Sequence, residues 1–188
     1  MFQTDPASRA HRGPGCGRGG GRGRRGRGCA DHGPTFRPNG LHPLSEAAHT
    51  AVLEALDDEQ SAFALYTAIL ERFPHAMPFA HIVEAEERHA RLLTSILEAH
   101  GLDVPANRHL GSPEIRAAVP ASLDEARVIA VEAEIDNIAL FVDRSLPMAA
   151  GHPDVVAAFE RLMEASRDRH LPAFRRWLGD AGATGGRA

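Results

Sequence analysis

Glu86 and His89 stand three residues apart in Glu86-Glu87-Arg88-His89, and both fall on a stripe that is otherwise apolar. The stripe reads Phe79, Ile82, Glu86, His89, Leu93, Ile96, His100, in alternating steps of three and four, the seam by which a helix packs in a bundle. On such a face a Glu-x-x-His pair presents a carboxylate and an imidazole to one metal ion. Upstream, Val52, Leu56, Glu59, Phe63, Tyr66, Leu70, Phe73 forms a second seam with one carboxylate inside it. An ionised carboxylate is costly to bury unless it is paired or coordinates a cation. Two helices with the same anomaly point to a shared ligand.

Two further segments carry the remaining candidates. In the third, Val131, Glu134, Ile138, Phe141 would turn Glu134 inward, whereas Val128, Glu132, Ile135, Ala139, Val142, Leu146 would turn Glu132 inward. Periodicity leaves both registers open. Asp136 and Asn137 are further oxygen donors in the same turn. In the fourth segment the candidate is His170, in line with Leu162 or Met163, Ser166, and Ala173 or Phe174. Each residue also has an ordinary structural reading. Glu59 would be a seam carboxylate paired with arginine, Glu86 and His89 part of a charged stretch with Glu84 and Glu87, and His170 a core imidazole. Against the first of these, Glu59 lies mid-helix between Leu56 and Phe63, where reaching solvent is hard.

Carboxylates and imidazoles without thiolates suit iron or manganese, and zinc is compatible. The set has room for one or two ions. A pair bridged by a glutamate would react with dioxygen or peroxide, and Tyr66 is close by on the first helix.

The elements that must position these groups are helical. Helix A is predicted from Ser45, an N-cap after Pro43, to about Phe73. Pro74 and Pro78 break the chain, and helix B runs from Pro78 to about His100 with Gly101 as its cap. Residues 101–121 hold Pro105, Pro113 and Pro120, with a short helical turn from Pro113 to Ala118. Helix C opens on a capping box, Ser122-Leu123-Asp124-Glu125, and reaches about Leu146. Gly151 and Pro153 separate it from helix D, which is expected to stop at Gly179. No useful β-alternation occurs, so the fold class is all-α.

The A–B and C–D connections are short and imply antiparallel hairpins. The B–C connection is long enough to cross a bundle, which is the ferritin-like four-helix arrangement. Glu134 and His170 straddle the Gly151 turn and can share a level. For Glu59 and Glu86 to do so, the loop at Pro74–Pro78 must climb in extended form.

The 188 residues suffice for one domain with a sizeable core, but their charge is divided. Residues 1–40 hold 11 of the 18 glycines and a net charge of +6, so the remainder carries −10 within a total of −4. All basic side chains are arginine. The expected organisation is a disordered arm over 1–40, a helical bundle over 41–179 and a flexible tail over 180–188. Cys16 and Cys29 both lie in the arm, which leaves the core no disulfide framework or Cys-x-x-Cys knuckle. No apolar leader or long apolar segment is present, so a cytoplasmic protein without a membrane partner is expected.

The Arg/Gly run of residues 17–28 suits weak, salt-sensitive contact with nucleic-acid phosphates, without aromatics for base stacking. A zinc finger on His11, Cys16, Cys29 and His32 lacks apolar residues to fold around.

Several stretches together resemble the ferritin-like superfamily, and within it an uncharacterised group of bacterial and archaeal rubrerythrin-related proteins. They are Asp58-Glu59 with Ala64-Leu65-Tyr66, Pro78-Phe79 through Ile82 to His89, Glu132 through Ile138, and Ala165 through Phe174. The resemblance runs from about Leu44 to Leu178. It implies a four-helix bundle with Glu59, Glu86, His89, Glu134 and His170 around iron, and it favours Glu134 over Glu132. It implies redox chemistry of iron or oxidative stress, with electrons from an external donor, since no rubredoxin-type cysteine module is present.

One departure matters. Di-iron members carry a second Glu-x-x-His on the last helix, and here the first position of that motif is Arg167. The resemblance therefore supports the half built on Glu86 and His89 better than the half built on His170. Two readings from other classes stand beside it: a metal-free structural or binding bundle, and a nucleic-acid-associated protein acting through the arm. A homodimer is left open.

Overall fold

The computed structural model describes residue 38 and residues 42–184, with side chains through residue 179. The 1–40 arm, with its nucleic-acid and zinc-finger readings, and residues 185–188 therefore lie outside the described residues, apart from residue 38.

The described chain is helical, and no strand occurs among the described residues. α1 spans Glu46–Arg72, α2 Phe79–Ala99 and the short α3 Pro113–Ala118. α4 covers Leu123–Leu140, passes through a π-helical turn, π1, at Phe141–Ser145, and ends in α5, Leu146–Met148. α6 covers Pro153–Ala165, passes through a second π turn, π2, at Ser166–His170, and continues as α7, Leu171–Thr184. No helix among the described residues is long and apolar enough to cross a membrane.

Local chemistry explains the starts. The Ser45 hydroxyl accepts from the Ala48 amide, and Ser112 does the same for Ile115. At Ser122 the capping box is complete, with Ser122 Oγ accepting from Glu125 N and Glu125 Oε2 from Ser122 N. Pro153 opens α6, where its missing N–H costs nothing. Gly101, after α2, has φ +67°, the left-handed conformation that glycine tolerates best.

The expected stop at Gly179 does not occur, because α7 runs on to Thr184. A glycine costs an exposed helix about 1 kcal/mol, but it ends one only when the backbone turns left-handed. Gly179 does not. Residues 180–184, assigned to a flexible tail, are thus helical in backbone.

α1 packs along α2, α4 along α7, and α6 reaches α2 and π1. The B–C connection is pinned to α1. Arg108 and His109 both bind Asp57, and Ile115 of α3 is buried there.

The core divides in two. One apolar cluster gathers Val52, Leu56, Leu93, Ile96, Phe141, Phe159 and Leu162; the other gathers Tyr66, Ile69, Phe79, Ile82, Ala130 and Phe174. Every long helical run passes from one cluster to the other. At the crossing each contributes polar side chains: Glu59 between Leu56 and Tyr66, Glu86 and His89 between Ile82 and Leu93, Glu134 between Ala130 and Phe141, His170 between Leu162 and Phe174. A fully buried Leu or Phe contributes about 1.5–3 kcal/mol, so the two clusters supply the stability that lets this polar layer be tolerated.

Candidate metal centre

The structure brings all five expected residues into that layer. Glu59 comes from the middle of α1, held inward by a face of Ala51, Val52, Ala55 and Leu56. Glu86 and His89 come from adjacent turns of α2, on the predicted seam. On α4 the inward register is that of Glu134, which is buried, while Glu132 is exposed. The competing stripe, Val128, Ile135 and Val142, faces solvent.

His170 closes the π2 turn. Leu162, Ser166, His170 and Phe174 are all buried, in steps of four that an α-helix could not hold on one face for long. The wider π turn absorbs the difference. It also swings Arg167 outward, where the side chain is 49% exposed and binds Asp168. Arg167 is therefore not in the layer.

Glu86 is the hub. Its Oε2 lies 3.0 Å from His89 Nδ1, and its Oε1 lies 3.0 Å from His170 Nδ1. His89 Nδ1 is also 3.1 Å from Glu59 Oε2, and His170 Nδ1 is 3.5 Å from Glu134 Oε2. Two triads result, Glu59–Glu86–His89 and Glu86–Glu134–His170, in each of which one donor atom per residue lies within 4.8 Å of the others. The two imidazoles stack, with centroids 5.4 Å apart and planes inclined by 20°. The sequence placed the carboxylate shortage in the second half; the second oxygen of Glu86 makes it up.

Further groups fix the carboxylates. Tyr66 Oη donates to Glu134 Oε1 at 3.1 Å. Asn137 Nδ2 donates to Asp58 Oδ2 at 2.7 Å and reaches Glu59 Oε1 at 3.4 Å, while Asn137 Oδ1 accepts from Ser166 Oγ at 2.9 Å. Asn137 thus braces the Glu59 side. Asp58 is the member whose role the sequence did not disclose; its signals were adjacency to Glu59 and the i,i+3 spacing of Asn137 from Glu134.

The electrostatics follow from burial. Desolvation pushes the Glu59 carboxyl up; His89 partly offsets this, and the Glu86 charge adds to it. Glu86 feels the same desolvation, but His170 and His89 outweigh it and hold Glu86 well below the usual carboxylate range. Burial alone would lower both imidazoles. Contacts with Glu59 and Glu86 bring His89 up to about 10, and those with Glu134 and Glu86 bring His170 up to about 9. Tyr66 is raised by its burial and by the Glu134 carboxylate beside it.

Does the layer fit a metal? Glu86 Oε1 and His170 Nδ1 are buried and face each other at 3.0 Å as a charge pair, but without the geometry of a hydrogen bond. Leaving that bonding capacity unused in a buried site is costly. Both atoms are ordinary ligand atoms for a divalent first-row ion, and the donor set of three carboxylates and two imidazoles suits one. They fit.

No known family's sequence profile matches the chain, and no curated protein matches it. Among solved structures the chain is similar to a hypothetical protein from Methanococcus jannaschii DSM 2661. The TM-score is 0.64 at 22% identity, over 75% of this chain and 85% of that one. That likeness concerns the helical fold.

Proposed function

We propose that the chain is a ferritin-like four-helix bundle that binds two divalent metal ions, iron first among them, between its helices. The observation that carries this reading is Glu86, whose two oxygens face two different imidazoles, with Glu59 and Glu134 completing a triad on either side. Bound there, ferrous ions would pass electrons to dioxygen or peroxide and become ferric, and an external donor would return them to the ferrous state. The chain's own part is to hold the ions. Glu86 would serve both positions and each histidine would offer Nδ1, while Tyr66 keeps one oxygen of Glu134 occupied so that the other faces His170. The surrounding apolar clusters exclude water. Manganese and zinc satisfy the same donors.

A metal-free reading has one observation in its favour, the close contacts of His89 Nδ1 with Glu59 and Glu86, which form a self-contained ion pair. It leaves His170 Nδ1 and Glu86 Oε1 without hydrogen bonds. Metal analysis of the full chain after reconstitution with ferrous ion separates the two. About two equivalents per chain are expected, and no retained metal would sink the proposal.

A further inference from the structure

Glu59, Glu86, Glu134 and His170 are 1–4% exposed and His89 is 12% exposed, so a hydrated ion cannot reach the carboxylates without an opening. A surface cleft of about 320 Å³ lies beside it, lined among others by Glu54, Asp57 and Asp58 of α1, His109 of the B–C connection and Arg144 of π1. Six waters occupy about 180 Å³ of liquid, so a hydrated cation fits. Two of the three acids are already engaged, Glu54 by Arg144 and Asp57 by Arg108 and His109. Among the described residues Asp58 has no cationic partner. It binds Asn137, and the same Asn137 nitrogen touches Glu59 Oε1. Buried Asn137 therefore joins Asp58 on the cleft wall to Glu59 of the layer, in which Glu86 Oε1 and His170 Nδ1 make no hydrogen bond.

We propose that this cleft is the port through which a divalent cation reaches the centre, with Asp58 as the receiving carboxylate and Asn137 as the gate. This rests on the metal-binding reading above.

As the structure stands, Asn137 turns its NH2 toward Asp58 and Glu59, and those hydrogens repel a cation. A flip of the amide would turn Oδ1 to the same place, and Asp58, Glu59 and the amide oxygen would then offer three oxygens to an ion in transit. The flip loses little on the other side. Ser166 Oγ now donates to Asn137 Oδ1, and after the flip the same hydroxyl accepts from Nδ2, because a hydroxyl does both.

The test uses the full chain, stripped of metal, and cobalt(II) as probe. Uptake is followed by stopped-flow visible absorbance, and final equivalents are measured at equilibrium. Asp58→Asn should slow uptake at least tenfold at low salt while leaving the equivalents and final spectrum unchanged. Asp58→Glu should restore the rate. Asn137→Ala, which removes the side chain that closes the way, should speed uptake several-fold. Should Asp58→Asn fold poorly, Asn137→Ala decides. Uptake at the wild-type rate in both variants overturns the port. Loss of equivalents in Asp58→Asn also overturns it, by making Asp58 a resident ligand. A wild-type chain that takes up no cobalt removes the metal reading itself.

Discussion

The two halves of the polar layer are built from helices of different regularity. Glu59, Glu86 and His89 come from α1 and α2, which run without a break, whereas Glu134 and His170 come from runs that each contain a π turn. On the regular side the spacing of apolar residues points straight at the polar residues of the layer. On the other side His170 itself closes a π turn, whose wider winding brings it in. Glu86 belongs to both halves, so the regular helix α2 anchors the irregular pair. The halves are alike in donor type and differ in how firmly their positions follow from local sequence.

The strongest way to break this comparison is to remove what the halves share. Glu86→Gln keeps the shape but withdraws the bridging charge, and both equivalents of metal should be lost. His89→Ala and His170→Ala should each lose about one. Metal titration of the three variants checks this. Loss of one equivalent in Glu86→Gln would mean that the glutamate serves only one half.

Proton linkage affects both halves in the same direction. Both imidazoles sit above their ordinary value of 6.5, at about 10 and about 9. Between those limits the folded metal-free protein binds more protons than the unfolded chain, so its stability falls as pH rises through that window. Glu59, also raised by burial, acts with the same sign. Glu86, held low, contributes stability that is lost only in acid. The melting temperature of metal-free protein should drop by about 5 °C or more between about pH 7 and pH 9.5. Bound metal replaces the imidazole protons, so metal-loaded protein should show a smaller drop, and metal affinity should rise with pH over the same range. Thermal melts of the two forms across pH measure the difference; coincident pH profiles would contradict it.

A smaller effect should separate the halves. Tyr66→Phe deletes the hydrogen bond to Glu134 Oε1, inside an aromatic group with Phe79 and Phe174. The loss should cost about 1 kcal/mol in urea melts and weaken the second ion several-fold, leaving the first unchanged. Equal weakening of both ions would show that Tyr66 acts on the layer as a whole.

The regular half was legible because two seams of alternating three and four steps each carried a carboxylate where an apolar residue belonged. The helix boundaries other than the end of α7, the short Pro113–Ala118 helix and the capping box at Ser122 were legible for similar reasons, since caps and prolines act locally. Helix α4 was ambiguous because it is apolar on two faces. Val128, Ile135 and Val142 imitate a buried seam, and only packing shows which face turns inward. A π turn has no comparable sequence signal. Counting in steps of three or four therefore could not choose between Leu162 and Met163, or between Ala173 and Phe174, and it could not say where Arg167 points.

Arg167 accordingly supplies the smallest prediction and the most direct test of that half. In a regular α-helix the residue three before His170 shares its face, and an arginine there would oppose a cation. With the π turn, Ser166 takes the inward position and Arg167 bonds Asp168 at the surface. A surface pair of this kind contributes little. Arg167→Ala should therefore leave stability within about 0.5 kcal/mol and the affinity for the second ion unchanged. Tighter binding of that ion on removing the guanidinium would mean that the helix is α-wound there, and that the second half of the layer is built differently from what the spacing of Leu162, Ser166, His170 and Phe174 implies.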